Sequence, residues 1–133
     1  SKENVVEQVM KITKGKKVPV VFDGVGKDTW NASLDCLQPR GLMVSFGNAS
    51  GAVPPIGLGI LNTKGSLYVT RPSLGAYTAT RADLEASAKS LFKMVKSGKV
   101  KIAIDQHYPL AEAAQSHIDL ESRKTTGQTV LIP

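Results

Sequence analysis

Residues 18–47 read VPVVFDGVGKDTWNASLDCLQPRGLMVSFG, and they decide the fold. Val18–Asp23 is a nearly continuous apolar run, the pattern of a parallel strand covered on both faces. Pro19 removes one ladder donor near its start. Asp28 or Thr29 can cap a helix that carries Trp30, Leu34 and Leu37 at helical spacing. Pro39-Arg40-Gly41 ends that helix, and Leu42–Phe46 is a second buried strand.

Working outward, Lys2–Thr13 places Val5, Val9 and Ile12 on one helical face, and Gly15 stops it. Gly47–Pro55 is a loop, Ile56–Asn62 a short helix weakened by Gly57 and Gly59, and Ser66–Thr70 a third strand. Thr80-x-x-Asp83 resembles a capping box. The helix behind it buries Leu84, Ala88, Leu91, Phe92 and Val95 and ends at Gly98. Val100–Asp105 reads as a strand, and Pro109 suits the first turn of a helix. Leu110, Ala113, Ala114, His117 and Ile118 form that helix's apolar stripe, and Thr129–Ile132 closes the chain as a strand. Up to residue 70, strands alternate with helices, which predicts right-handed crossovers and a parallel sheet. Three such strands make one mononucleotide-binding half of a doubly wound α/β fold.

The composition narrows the function classes. The chain has 133 residues, 41% hydrophobic and 5% aromatic, a foldable rather than disordered composition. No apolar run reaches the roughly 20 residues of a membrane span, and Ser1–Met10 does not read as a signal peptide. The single cysteine, Cys36, cannot form an internal disulfide, which suits a reducing cytoplasm. The net charge of +6 favours anionic partners. Its lysines cluster at Lys14, Lys16, Lys17 and at Lys93, Lys96, Lys99, Lys101, where helices end and cations are favoured. Aromatics are not interleaved with them, so solvated helix ends take precedence over a nucleic-acid patch.

Ligands of open parallel sheets bind beyond the carboxyl ends of the strands. That singles out Asp23-Gly24-Val25-Gly26, Phe46-Gly47-Asn48-Ala49-Ser50 and Thr70-Arg71-Pro72-Ser73. Each joins small residues to a hydrogen-bonding side chain, and Arg71 adds a fixed cation. Gly24-x-Gly26 starts like a dinucleotide fingerprint, but Thr29 stands where the third glycine belongs, so it is read as a turn. Cys36, His107 and His117 show no zinc spacing. Cys36 reads as a packing residue and His117 as a core histidine, while Glu112, Asp119 and Glu121 read as the solvated side of their helix. No serine sits in a nucleophile elbow.

The segment VVFDGVGKDTWNASLDCLQPRGLMVSFGNASG, with LGILNTKGSLYVTRPSL and LESRKTTGQTVLIP, closely resembles bacterial NADPH:quinone oxidoreductases. These form the zeta-crystallin-like, zinc-free branch of the medium-chain dehydrogenases. The resemblance covers essentially the whole chain and aligns its start just before the fourth strand of the family's Rossmann domain. It implies that residues 1–73 are the C-terminal half of that domain and that residues 74–133 rejoin a GroES-like substrate domain. The family's glycine-rich loop has no counterpart in these residues. The resemblance implies NADPH as cofactor and a quinone as substrate. Gly24 and Val25 would touch the adenosine side. Phe46, Gly47, Asn48 and Ala49, with Ser50, would line the nicotinamide. Thr70, Arg71 and Ser73 would complete that wall, and Arg123 would reach in from the C-terminal segment. It names no catalytic side chain and no metal ligand. It implies a homodimer through the edge strand Ser66–Thr70, an apolar helical face after residue 80 left for the substrate domain to cover, and, for these residues alone, no activity and weak or no cofactor binding. The alternative reading is a nucleic-acid-binding, dimerisation or structural module, since some zeta-crystallin relatives serve such roles.

Overall fold

A computed structural model describes residues 3–133. The chain divides into two compact units, Ser1–Ala79 and Thr80–Pro133. The first unit runs α1 Val5–Ile12, β1 Val18–Asp23, α2 Trp30–Asp35, β2 Leu37–Ser45, α3 Gly59–Thr63, β3 Tyr68–Thr70 and α4 Leu74–Tyr77. Of the expected first helix, Lys2 lies outside the described residues. Asn4 starts the helix instead, its side chain accepting from the N–H groups of Val6 and Glu7.

The three strands form one sheet, ordered β1-β2-β3 and parallel throughout. Asp23 lies opposite Ser45, and Val44 opposite Thr70, so the three carboxyl ends are nearly level. This is the α/β arrangement expected from the alternation of apolar runs.

The crossover from β1 to β2 departs from expectation. The helix stops at Asp35, and Leu37 opens β2 opposite Val18 instead of closing the helix. The pairing then jumps to Val20 opposite Leu42, so residues 38–41 bulge out. Two prolines explain the bulge. Neither Pro19 nor Pro39 has an N–H to donate, and Arg40, just after Pro39, takes φ +60°, its N–H donating to the Gly65 carbonyl at 2.8 Å.

Only one face of the sheet is covered. Trp30, Leu34, Leu37, Met43 and Leu67 form the core, with Val18, Val21, Val53, Ile60 and Leu61 packed against it. Each fully buried side chain there stabilises the unit by about 1.5–3 kcal/mol. Cys36 is buried beside this core, as a packing residue should be. On the opposite face, Phe22 and Tyr68 are exposed, so β1 is not covered on both sides as its apolar run predicts. Phe46 is also exposed, one residue beyond the end of β2. The third helix starts later than predicted, at Gly59, and the short α4 has no clear sequence signal.

The second unit comprises α5 Arg81–Lys96, β4 Ile104–Pro109, a 3₁₀ turn Leu110–Glu112, α6 Ala113–Glu121 and β5 Gln128–Ile132. The capping box forms: the Thr80 hydroxyl accepts from the Asp83 N–H at 3.1 Å and donates to its carboxylate at 2.7 Å. Gly98, at φ +73°, ends α5. No residue of α5 is buried, and Leu84, Leu91 and Phe92 are exposed. The expected stripe exists but is open within its own unit. Strand β4 begins four residues later than predicted, at Ile104 instead of Val100, and pairs in parallel with β5. His117 is exposed, against the reading of it as a core histidine, and its neighbour Ser116 is the buried residue of α6. The Tyr108 hydroxyl donates to Asp119 at 2.9 Å, joining the side of α6 that carries Asp119 to β4.

Candidate functional site at the carboxyl edge of the sheet

The site starts at Asp23. Its buried carboxylate accepts four hydrogen bonds: Val25 N–H at 2.8 Å, Gly26 N–H at 2.9 Å, Thr29 hydroxyl at 2.7 Å and Ser33 hydroxyl at 2.6 Å. Burial opposes its charge, but the bonds from Ser33, Gly26, Thr29 and Val25 outweigh that and hold the carboxyl below its ordinary value. Asp23 therefore organises the loop with all its acceptor positions engaged. Thr29 spends its hydroxyl on Asp23 and does not cap α2.

That loop is locked to the one after β2. Phe46 N–H donates to Asp23 O at 2.9 Å, Ala49 N–H to Gly24 O at 3.3 Å and Ser50 N–H to Val25 O at 2.8 Å. The Ser50 hydroxyl donates to Val25 O at 2.9 Å and accepts from Asp28 N–H at 3.0 Å. Two glycines permit this approach. A Cβ on Gly47 would lie 2.3 Å from Gly24 O, and one on Gly26, already at φ +92°, 2.6 Å from Gly51 O. Arg71 ties the third strand in, its guanidinium donating to Ser45 O at 2.8 Å and Gly47 O at 3.3 Å.

The structure thus brings Gly24, Val25, Phe46, Gly47, Asn48, Ala49, Ser50, Thr70 and Arg71 to one edge of one unit. Ser73 follows at the start of α4, where its carbonyl accepts from Ala76 and Tyr77. Arg123 belongs to the second unit, where it takes φ +58° just after α6. Sequence reasoning missed the organising role of Asp23 and the part played by Ser33. The signal was an acid at a strand end with hydroxyls six and ten residues on. It also missed that Ser50 and the Ala49 N–H are engaged between the loops.

Among the described residues, no three His, Cys, Asp or Glu side chains gather as a metal site. No helix among them is long and apolar enough to cross a membrane.

Comparison with known proteins places this edge in a larger frame. A family described as zinc-binding dehydrogenase matches residues 2–131. A quinone oxidoreductase of Pseudomonas aeruginosa is 58% identical over all of this chain, which covers 41% of that protein. Quinone oxidoreductase 1 of Escherichia coli K12 is 59% identical over 98% of this chain and 41% of its own length. The crystal structure of an Escherichia coli quinone oxidoreductase complexed with NADPH superposes with a TM-score of 0.92 at 57% identity, covering 99% of this chain and 41% of that one. The chain spans about two fifths of these relatives. The zinc in the family's name finds no ligand set among the described residues. By the extent of that match and its parallel three-stranded sheet, the chain belongs to the zinc-binding dehydrogenase family of medium-chain dehydrogenases and carries the C-terminal half of its Rossmann fold.

Proposed function

We propose that this chain supplies the nicotinamide side of the cofactor site of an NADPH-dependent quinone oxidoreductase. The observation that carries this reading is the level, interlocked edge formed by residues 23–26, 45–50 and 70–71. In parallel sheets that edge is where dinucleotides bind. Exposed Phe46, the Asn48 amide, the Thr70 hydroxyl and the Arg71 cation suit a flat ring bearing a carboxamide.

In this reading Gly24 and Val25 meet the adenosine side. Phe46, Gly47, Asn48 and Ala49 flank the nicotinamide, with Ser50 bracing their loop from behind. Thr70, Arg71 and Ser73 close the wall, and Arg123 contributes from the C-terminal segment. When bound, NADPH supplies the hydride that reduces a quinone. The chain's part is orientation. The Asp23 network and the Arg71 clamp fix the loops, so the ring is held without reorganising them. The reduced quinone's oxygens take protons from water, and no side chain of this chain is assigned as acid or base. Residues 1–73 serve the cofactor domain, and residues 74–133 return to the substrate domain. The protein works in the cytoplasm as a homodimer joined through β3, which occupies the sheet's edge.

Pyrophosphate binding by this fold uses backbone N–H groups at a glycine-rich helix start, and these residues contain no complete G-x-G-x-x-G. The 133 residues alone should therefore hold NADPH weakly. Titrating NADPH against them while following nicotinamide fluorescence tests this. Binding weaker than micromolar is expected, and sub-micromolar binding would overturn the account of what the glycine-rich loop contributes.

A further inference from the structure

The second unit carries a basic run that its own ion pairs barely engage. From Ala86 to Ile104 the sequence holds five lysines, Lys89, Lys93, Lys96, Lys99 and Lys101, and no acid. Lys89 pairs with Glu85 at 3.7 Å. The other four pair with no carboxylate among the described residues. A helix C-terminus favours Lys93 and Lys96, in the last turn of α5. It does not account for Lys89 in mid-helix, or for Lys99 and Lys101 beyond Gly98.

Apolar side chains run among these lysines and are open to solvent within the unit. Phe92, three residues after Lys89 and four before Lys96, is 68% exposed and lies between them on the helix surface. Val100 and Ile102 alternate with Lys99 and Lys101 and are also exposed. Lys89, Lys93 and Lys96 lie within about 60° of one another around α5, and roughly 100° or more from Leu84 and Val95. A domain covering the stripe through Leu84 and Val95 therefore leaves these lysines clear.

This mixture selects the partner. Nucleic acid would satisfy the lysines but not aliphatic side chains, and its bases stack on aromatics. An anionic bilayer takes both, its headgroups meeting the lysines while the apolar side chains enter the acyl boundary. We propose that residues 89–102 dock the second unit on an anionic lipid surface. Docking itself is independent of the cofactor reading. Its use, bringing the chain to the phase in which apolar quinones dissolve, rests on the quinone reading.

The 133-residue chain is pelleted, without NADPH or quinone, with phosphatidylcholine vesicles and with vesicles that also contain phosphatidylglycerol. A vesicle-free run subtracts self-association. The anionic vesicles should bind at least about tenfold better, and molar salt, with a screening length of about 3 Å, should release the chain. The triple variant Lys93→Gln, Lys96→Gln, Lys99→Gln should weaken binding about hundredfold, at roughly fivefold per lysine. Phe92→Ser should weaken it by about tenfold. The triple variant Lys14→Gln, Lys16→Gln, Lys17→Gln removes the same charge from the first unit and should stay within about threefold of the parent. Unchanged helical circular dichroism shows that each variant is folded. Equal binding to both kinds of vesicle, equal loss in the two triple variants, or tighter binding to polyuridylate than to the anionic vesicles would overturn the proposal. Any of these results would leave the cofactor reading untouched, since the NADPH titration tests that separately.

Discussion

Replacing Gly47 with alanine tests the interlocked loops most severely. Its Cβ would sit 2.3 Å from Gly24 O and 2.8 Å from the Gly24 carbonyl carbon and Cα. All three are backbone atoms, so no side chain can swing aside. Reaching ordinary contact means parting the loops by about 1 Å. That breaks or stretches the Ala49 N–H bond to Gly24 O and the two bonds from Ser50 to Val25 O. At about 1 kcal/mol each, the three bonds put the loss at about 3 kcal/mol, within the range that overpacking alone can cost. Urea unfolding followed by Trp30 emission reads the first unit, which holds the only tryptophan. With a slope of about 1–3 kcal/mol per molar, the midpoint should fall by roughly 1–3 M. Gly57→Ala is the control: nothing lies within 4 Å of its added Cβ, so the midpoint should hold. A Gly47→Ala midpoint within error of the parent would refute the claim that the two loops are locked by contact.

The Asp23 carboxyl is held below its ordinary value of 3.8, so its contribution is complete above that value and fades as pH falls toward its folded pKa. Urea midpoints should therefore be level near pH 6 and drop below about pH 4, and Asp23→Asn should shrink that acid drop. An acid limb identical in the variant would show that Asp23 is not its source. Arg40→Gly should raise stability by roughly 0.5 kcal/mol, because φ +60° strains a side-chain-bearing residue by more than glycine's added freedom costs. A fall in the midpoint would mean that the Arg40 side chain holds the bulge. Thr80→Ala removes the N-cap of α5 and should cost about 1 kcal/mol, seen as weaker helical circular dichroism. Unchanged ellipticity would mean that the cap is dispensable.

The parallel sheet was legible because Val18–Asp23 and Leu42–Ser45 are apolar runs bounded by glycine-bearing turns. The strand exits were equally legible, since they follow from where those runs stop. The β2 bulge was not, because Leu37 continues the helical spacing of Trp30 and Leu34, and only pairing with Val18 decides against it. Burial was misjudged where a core-like pattern meets no covering layer within its own unit: Phe22 and Phe92 lie exposed. His117 was misplaced because periodicity fixes which residues share a face but not which face packs. Tertiary bonds such as Tyr108–Asp119, between residues 11 apart, do not show in the period. The site residues were found by position at strand ends. Their inward hydrogen bonds were invisible, since sequence cannot show which donors a neighbouring loop already occupies.

Backbone amide chemical shifts of the 133-residue chain, followed by NMR as NADPH is raised into the millimolar range, address the central claim directly. Fast-exchange shifts should concentrate at residues 24–26, 46–50 and 70–73 and saturate weakly. Shifts confined to the second unit, or none at any attainable concentration, would contradict that claim.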